Sequence, residues 1–138
     1  MRLVHEPIDL TTLLGSSPAD GAACLFVGVV RNENQGRSVE RLEYEASEEM
    51  ALPLMEEIVA ETRRRFPVTG VRLVHRLGDL QVGEASVAIA TNSPHRDEAF
   101  AACRFAIAAL KAKVPIWKKE HYADGTAWLE GPQATGRG

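Results

Sequence analysis

The segment Ser93-Pro94-His95-Arg96 sets an imidazole and a guanidinium beside an expected helix start. With Ser93 as N-cap and Pro94 at the first helical position, His95 and Arg96 fall at the second and third. Free backbone N–H groups and the positive end of the helix dipole point there, which suits a phosphate or a carboxylate. The plainer reading pairs Arg96 with an acidic neighbour and leaves His95 exposed. Lys111 lies beside the apolar stripe of the same helix, directly after Leu110. It either snorkels to water or sits in a partly apolar pocket, where desolvation lowers its pKa. Pro115-Ile-Trp-Lys-Lys-Glu120, if extended, places Trp117 and Lys119 on one face and Ile116, Lys118 and Glu120 on the other. Lysines beside a tryptophan also serve as a solvated strand edge. Arg31 closes an apolar run beside a glycine-containing turn; it fits a ligand clamp, though charges at strand ends are common.

Other chemistries lack support. The chain has no GxSxG, Walker A, HExxH or GxGxxG pattern, and its four histidines are not at metal-ligand spacing. Its two cysteines, Cys24 and Cys103, form no CxxC pair and read as buried hydrophobes. No metal and no cofactor are expected. A net charge of −3 over 138 residues argues against coating nucleic acid. The distribution is uneven: positions 40–61 carry eight acidic residues against Arg41 alone, whereas positions 95–119 carry six basic residues against Asp97 and Glu98. Such a cationic stretch in an acidic chain suits a local anion site or a solvated helix face. The longest apolar run, Ala22 to Val30, is far short of the roughly 20 residues that cross a bilayer, and the first ten residues carry no signal-peptide pattern. The expectation is a cytoplasmic protein that binds neither membrane nor nucleic acid.

These side chains need elements to hold them. Gly21 to Arg31 reads as a buried strand, and Asn32 to Gly36 as a turn into a second strand over Ser38 to Tyr44, a hairpin. Ser47 reads as an N-cap, with a helix whose apolar stripe is Ala51, Leu54, Met55, Ile58 and Thr62, ending near Phe66-Pro67. Pro53 either kinks its start or puts the first turn at Leu52. Val71 to His75 reads as a strand, Gly78-Asp79 as a turn, and Ala85 to Thr91 as a core strand. His75-Arg76 echoes His95-Arg96, but its place at a strand end reads as a structural turn. Ala99, Phe100, Cys103, Ala106, Ile107 and Leu110 are the expected buried stripe of the helix that Val114-Pro115 stops. Ile116 to Glu120 and Ala127 to Glu130 are short strands about an Asp124-Gly125 turn. Hairpin strands with two long helices predict an α+β domain over residues 1–130, followed by a mobile tail over 131–138.

The ordered set Gly28-Val-Val-Arg31 with Asn32, Leu42-Glu-Tyr-Glu45, His75-Arg-Leu-Gly78 with Leu80, Gly83-Glu84, Ser93 to Arg96 with Ala99-Phe100, and Leu110-Lys111 leading into Pro115-Ile-Trp-Lys-Lys-Glu120 resembles the MoaE family, the large catalytic subunits of molybdopterin synthase. The likeness runs from about Gly21 to Trp128. It implies an α+β hammerhead fold and a sulfurtransferase of molybdenum cofactor biosynthesis. The family converts cyclic pyranopterin monophosphate (precursor Z) to molybdopterin by installing a dithiolene. Sulfur comes from the C-terminal Gly-Gly thiocarboxylate of a small ubiquitin-like (MoaD-like) subunit, within a heterotetramer built on a homodimer of the large one. By position, Lys111 and Lys118 match the family's active-site lysines, and His95 and Arg96 its substrate-binding pair. Val29, Val30 and Arg31 match the binding segment after the first core strand, and Lys119 and Glu120 complete the segment begun at Lys118. Some members donate a tail arginine to the neighbouring subunit; here Gly131-Pro132 stands near that place, with Arg137 beyond.

A continuous helix from Pro94 to Lys113 separates Arg96 from Lys111 by about 22 Å at 1.5 Å per residue, too far for one small substrate. The expectation is that His95 and Arg96 of one copy complete the site holding Lys111 and Lys118 of another. The rival from a different class is a non-catalytic module that captures a partner's C-terminal tail in a basic groove.

Overall fold

In a computed structural model, which describes residues 1–15 and 17–131, the chain forms two sheets and two long helices. The strands are β1 (Arg2–Val4), β2 (Ala22–Val29), β3 (Glu33–Asn34), β4 (Arg37–Glu45), β5 (Gly70–Arg76), β6 (Gly78–Gln81), β7 (Ala85–Ser93), β8 (Trp117–Tyr122) and β9 (Ala127–Glu130). The helices are α1 (Glu48–Arg65) and α2 (Arg96–Lys113), with one 3-10 turn at Leu10–Leu13. This is the α+β class with mainly antiparallel strands that the sequence predicts.

The first sheet runs β1-β5-β7-β2, with only the β1–β5 pair parallel. Both helices lie on one face of it. Ala51, Met55 and Ile58 of α1 meet Leu73, Val87 and Ile89 of the sheet and Cys103, Ala106 and Leu110 of α2. Each fully buried Met, Ile, Leu or Val side chain among them contributes about 1.5–3 kcal/mol. The opposite face carries a smaller core of Val4, Leu13, Val74, Ala88 and Ala90. The second sheet runs β3-β4-β8-β9, with β6 also on β4, around Val30, Val39, Leu42, Leu80 and Tyr122.

Several local expectations need correction. The strand at Gly21–Arg31 is not buried on both faces: β2 is a sheet edge, with Phe26 37% and Val29 52% exposed. It makes no hairpin with β4. Val30 leaves the first sheet to exchange backbone hydrogen bonds with the Gly83-Glu84 turn, and the short hairpin is β3–β4, closed by Gln35 and Gly36 at positive φ. Gly78 does turn the chain, but Asp79 continues into β6 because β4 offers it an edge. α1 begins at Glu48, not Leu52, and runs through Pro53, which sits on the exposed side. Ser47 is its N-cap but makes no side-chain cap bond. α2 begins at Arg96, with His95 as N-cap, because Ser93 belongs to β7 and its hydroxyl donates to the His95 carbonyl. Phe100 is 61% exposed; Ala102 and Ala109 are buried instead, small enough for α2 to sit close against β2 and β7.

Candidate active site

A cavity of about 410 Å3 opens where the end of β2 leaves one sheet for the other. A register shift between Gly28 and Val29 disrupts the β2–β7 ladder. Such bulges re-aim the residues that follow, and here Val29, Val30 and Arg31 line the cavity. Gly28 also lines it; a Cβ there would stand 2.7 Å from Val87 Cγ1, so the close approach of β2 to β7 needs glycine. From the second sheet come Leu42 and Tyr44 on β4 and Lys118 and Glu120 on β8. Leu42 pairs with Glu120 and Tyr44 with Lys118, which puts all four on one face. The last turn of α2 supplies Lys111.

Behind the two lysines lies a second cavity of about 50 Å3, bordered by Tyr44, His75, Leu110, Lys111, Lys118 and Gly131 among others. Tyr44, Lys111 and Lys118 line both spaces, the larger, outer one and the smaller, inner one. The half-apolar pocket expected as one reading of Lys111 is what the fold builds, between Leu110, Val114 and Ile116.

Electrostatics separate the two amines. Burial is the main influence on Lys111 and lowers its pKa; the Lys118 charge lowers it further, against a smaller pull from Glu130. Burial also works against charge on Lys118, but Tyr44, Glu130 and Glu120 outweigh it and hold its pKa above the ordinary lysine value. Lys118 Nζ stands 3.3 Å from Glu120 Oε1 and 3.4 Å from Glu130 Oε2. Glu120, only 2% exposed, is fixed in turn: the Asn34 amide donates to both its oxygens at 3.0 and 2.9 Å, and the Tyr122 hydroxyl donates to Oε2 at 2.8 Å. Burial pushes the Glu120 pKa up, yet these donors and Lys118 bring it below the usual carboxylate value. Arg31 is exposed at the rim and has no ion-pair partner among the described residues. The outer cavity therefore offers one ammonium held above the ordinary lysine pKa, one amine drawn below it and one uncommitted guanidinium, a set that can bind an anion and move a proton.

Not every expected site residue gathers here. Lys119 alternates with Lys118 on β8 and does not line the cavity. His95 and Arg96 border a separate open depression with Gly21, Pro94, Asp97 and Glu98, at the far end of α2 from Lys111. Arg137 lies outside the described residues. The site also holds residues that sequence reasoning passed over. Tyr44 and Asn34 are seen only once β4 and β8 pair, although the inward alternation of Val39, Leu42 and Tyr44 was a usable signal. His75-Arg76 is no turn: both are buried within β5. Arg76 is structural, paired with Glu84 at 2.9 Å, but His75 borders the inner cavity.

Among the described residues no helix is long and apolar enough to cross a membrane. The family model described as MoaE protein matches residues 3–113. The chain is 50% identical over 131 residues to a molybdopterin synthase catalytic subunit of Nostoc sp., covering 92% of this chain and 79% of that one. It is 42% identical over 133 residues to a molybdopterin synthase catalytic subunit of Pyrococcus abyssi, covering 94% and 90%. The molybdopterin synthase crystal structure from Staphylococcus aureus superposes with a TM-score of 0.88 at 38% identity, covering 94% of this chain and 95% of that one. The fold alone is shared with a chain in a complex of subunits 1 and 2 of molybdopterin-converting factor from Helicobacter pylori, at 22% identity and a TM-score of 0.74, covering 96% and 88%.

Proposed function

The chain belongs to the MoaE family, and from that premise we propose the reaction it performs and the part each side chain plays. It is a sulfurtransferase of molybdenum cofactor biosynthesis, the catalytic subunit of a molybdopterin synthase. Its substrate is cyclic pyranopterin monophosphate, held in the 410 Å3 cavity. Its sulfur donor is the C-terminal Gly-Gly thiocarboxylate of a small ubiquitin-like subunit. Both reactants bring negative charge to a cavity whose rim carries Arg31 and whose floor carries Lys118.

The observation that carries this reading is the divergence of the two lysines. Lys118, held charged by Glu120 and Glu130, stabilises the negative charge that develops as sulfur adds and the cyclic phosphate opens. Lys111, biased toward the neutral amine by burial and by Lys118, accepts and returns the proton. Val29 and Val30 line the same space and border the bound ring. His95 and Arg96, about 22 Å along α2 from Lys111, act in the site of a second copy, binding the substrate's anionic end there. Lys119, on the other face of β8, stands away from this cavity.

The deciding experiment mixes the protein with the thiocarboxylated small subunit and precursor Z and follows dithiolene formation. Product is expected with the native chain, and Lys111→Ala is expected to keep partner binding while turnover collapses. Parallel loss of binding and turnover would instead support a tail-capturing module.

A further inference from the structure

His75 is 4% exposed, deep in β5, with its ring edge-on to Tyr44 at 5.1 Å between centroids. Its Nδ1 stands 2.8 Å from the Arg76 carbonyl oxygen. A carbonyl only accepts, so Nδ1 carries the proton and Nε2 is left with the lone pair. Nε2 has no hydrogen-bond partner among the described residues, yet it is not a sealed, orphaned atom; such atoms are Arg76 Nε and Glu98 Oε2. His75 borders the inner cavity of about 50 Å3, which Lys111 also borders. That space is large enough for a water molecule and is lined by polar partners able to hold one.

We propose that His75 is a positioning residue for Lys111: its unprotonated Nε2 accepts, through one water held in the inner cavity, a hydrogen bond that orients the lysine ammonium. The inference rests on reading Lys111 as the proton-handling group. The charged and titratable groups that face Lys111 are Lys118 on β8, Glu130 on β9, Tyr44 on β4 and His75 on β5. His75 stays a neutral acceptor throughout the reaction, because burial drives its pKa down to about 4, with the Lys111 charge adding to the effect. A carboxylate in its place would pin Lys111 as an ammonium. A neutral imidazole orients the amine and still lets it lose its proton.

The test uses the full chain without partner or substrate, so it can fail independently of the proposed reaction. The Lys111 side chain, followed by carbon-detected NMR titration, is expected to titrate about one pH unit lower in His75→Phe, a tenfold change in protonation. His75→Gln, whose amide oxygen overlies Nε2, is expected to restore the native titration. No shift in His75→Phe, or an equal shift in His75→Gln, overturns the proposal. If His75→Phe does not fold, the Nε2 nitrogen resonance of His75 decides in an otherwise native chain. It is expected to move toward that of an unbonded nitrogen in Lys111→Met, and an unchanged resonance refutes the contact.

Discussion

Lys111 and Lys118 border the same two cavities, yet one is drawn below the ordinary lysine pKa and the other is held above it. Two like charges brought together cannot both be comfortable. Glu120 and Glu130 settle the matter by standing within 3.4 Å of Lys118. Formation of product is therefore expected to rise with pH through the titration of Lys111, at a pH below that of a free lysine. Lys111→Ala should lower turnover by about 10²–10⁴-fold, the usual worth of a positioned acid–base group. Lys111→Arg should not rescue it, because a guanidinium does not give up its proton. A pH–rate profile of the reconstituted complex checks both, and an unchanged rising limb in Lys111→Arg would refute the assignment.

Glu120 serves stability and charge together. Its carboxylate takes hydrogen bonds from Asn34 and Tyr122 and neutralises Lys118 while nearly closed off from solvent. Glu120→Gln keeps the shape but loses the charge-assisted bonds. Denaturant titration should show a loss of about 1–3 kcal/mol, and Lys118 should titrate at lower pH than in the native chain.

The proposed division of the site between two copies makes an unusual mixture informative. Lys111→Ala and Arg96→Ala should each be nearly inactive alone. In a mixed dimer one of the two sites regains both native residues, and random pairing makes half the dimers mixed. Recovery of about a quarter of native activity is expected on mixing and subunit exchange. No recovery, with exchange confirmed by mass, would place Arg96 outside the reaction.

His75 should make the fold sensitive to mild acid. Its pKa is lowered from 6.5 to about 4, mainly by burial, so between those values the unfolded chain binds a proton that the folded chain does not. By linkage, stability is complete above about pH 6.5, falls as pH falls, and has lost about 3 kcal/mol once below pH 4. His75→Gln is expected to flatten that part of the stability–pH curve, measured by denaturant unfolding at fixed pH. An unaltered slope would show that His75 titrates alike in the folded and unfolded chain.

Much of the fold is legible along the chain because its signals are local. The 3.6-residue stripe of α1, the alternation in β7, the Val114-Pro115 stop and the Asp124-Gly125 turn each depend on near neighbours only, and each stands where the residues put it. Lys111 beside an apolar stripe and Lys118 two positions before Glu120 are equally local facts. What tertiary structure alone decided is which strand edges meet. β2 pairs with β7 rather than with β4, and β4 pairs with β8, because strand pairing is a long-range choice that alternation does not encode. That choice sets Tyr44 opposite Lys118, brings His75 and Asn34 to a site 36 and 77 positions of chain away from Lys111, and draws one of two chemically identical lysines below the ordinary pKa while holding the other above it. Charge state follows from desolvation and from the nearest opposite charge in space, and neither is a property of neighbours in sequence.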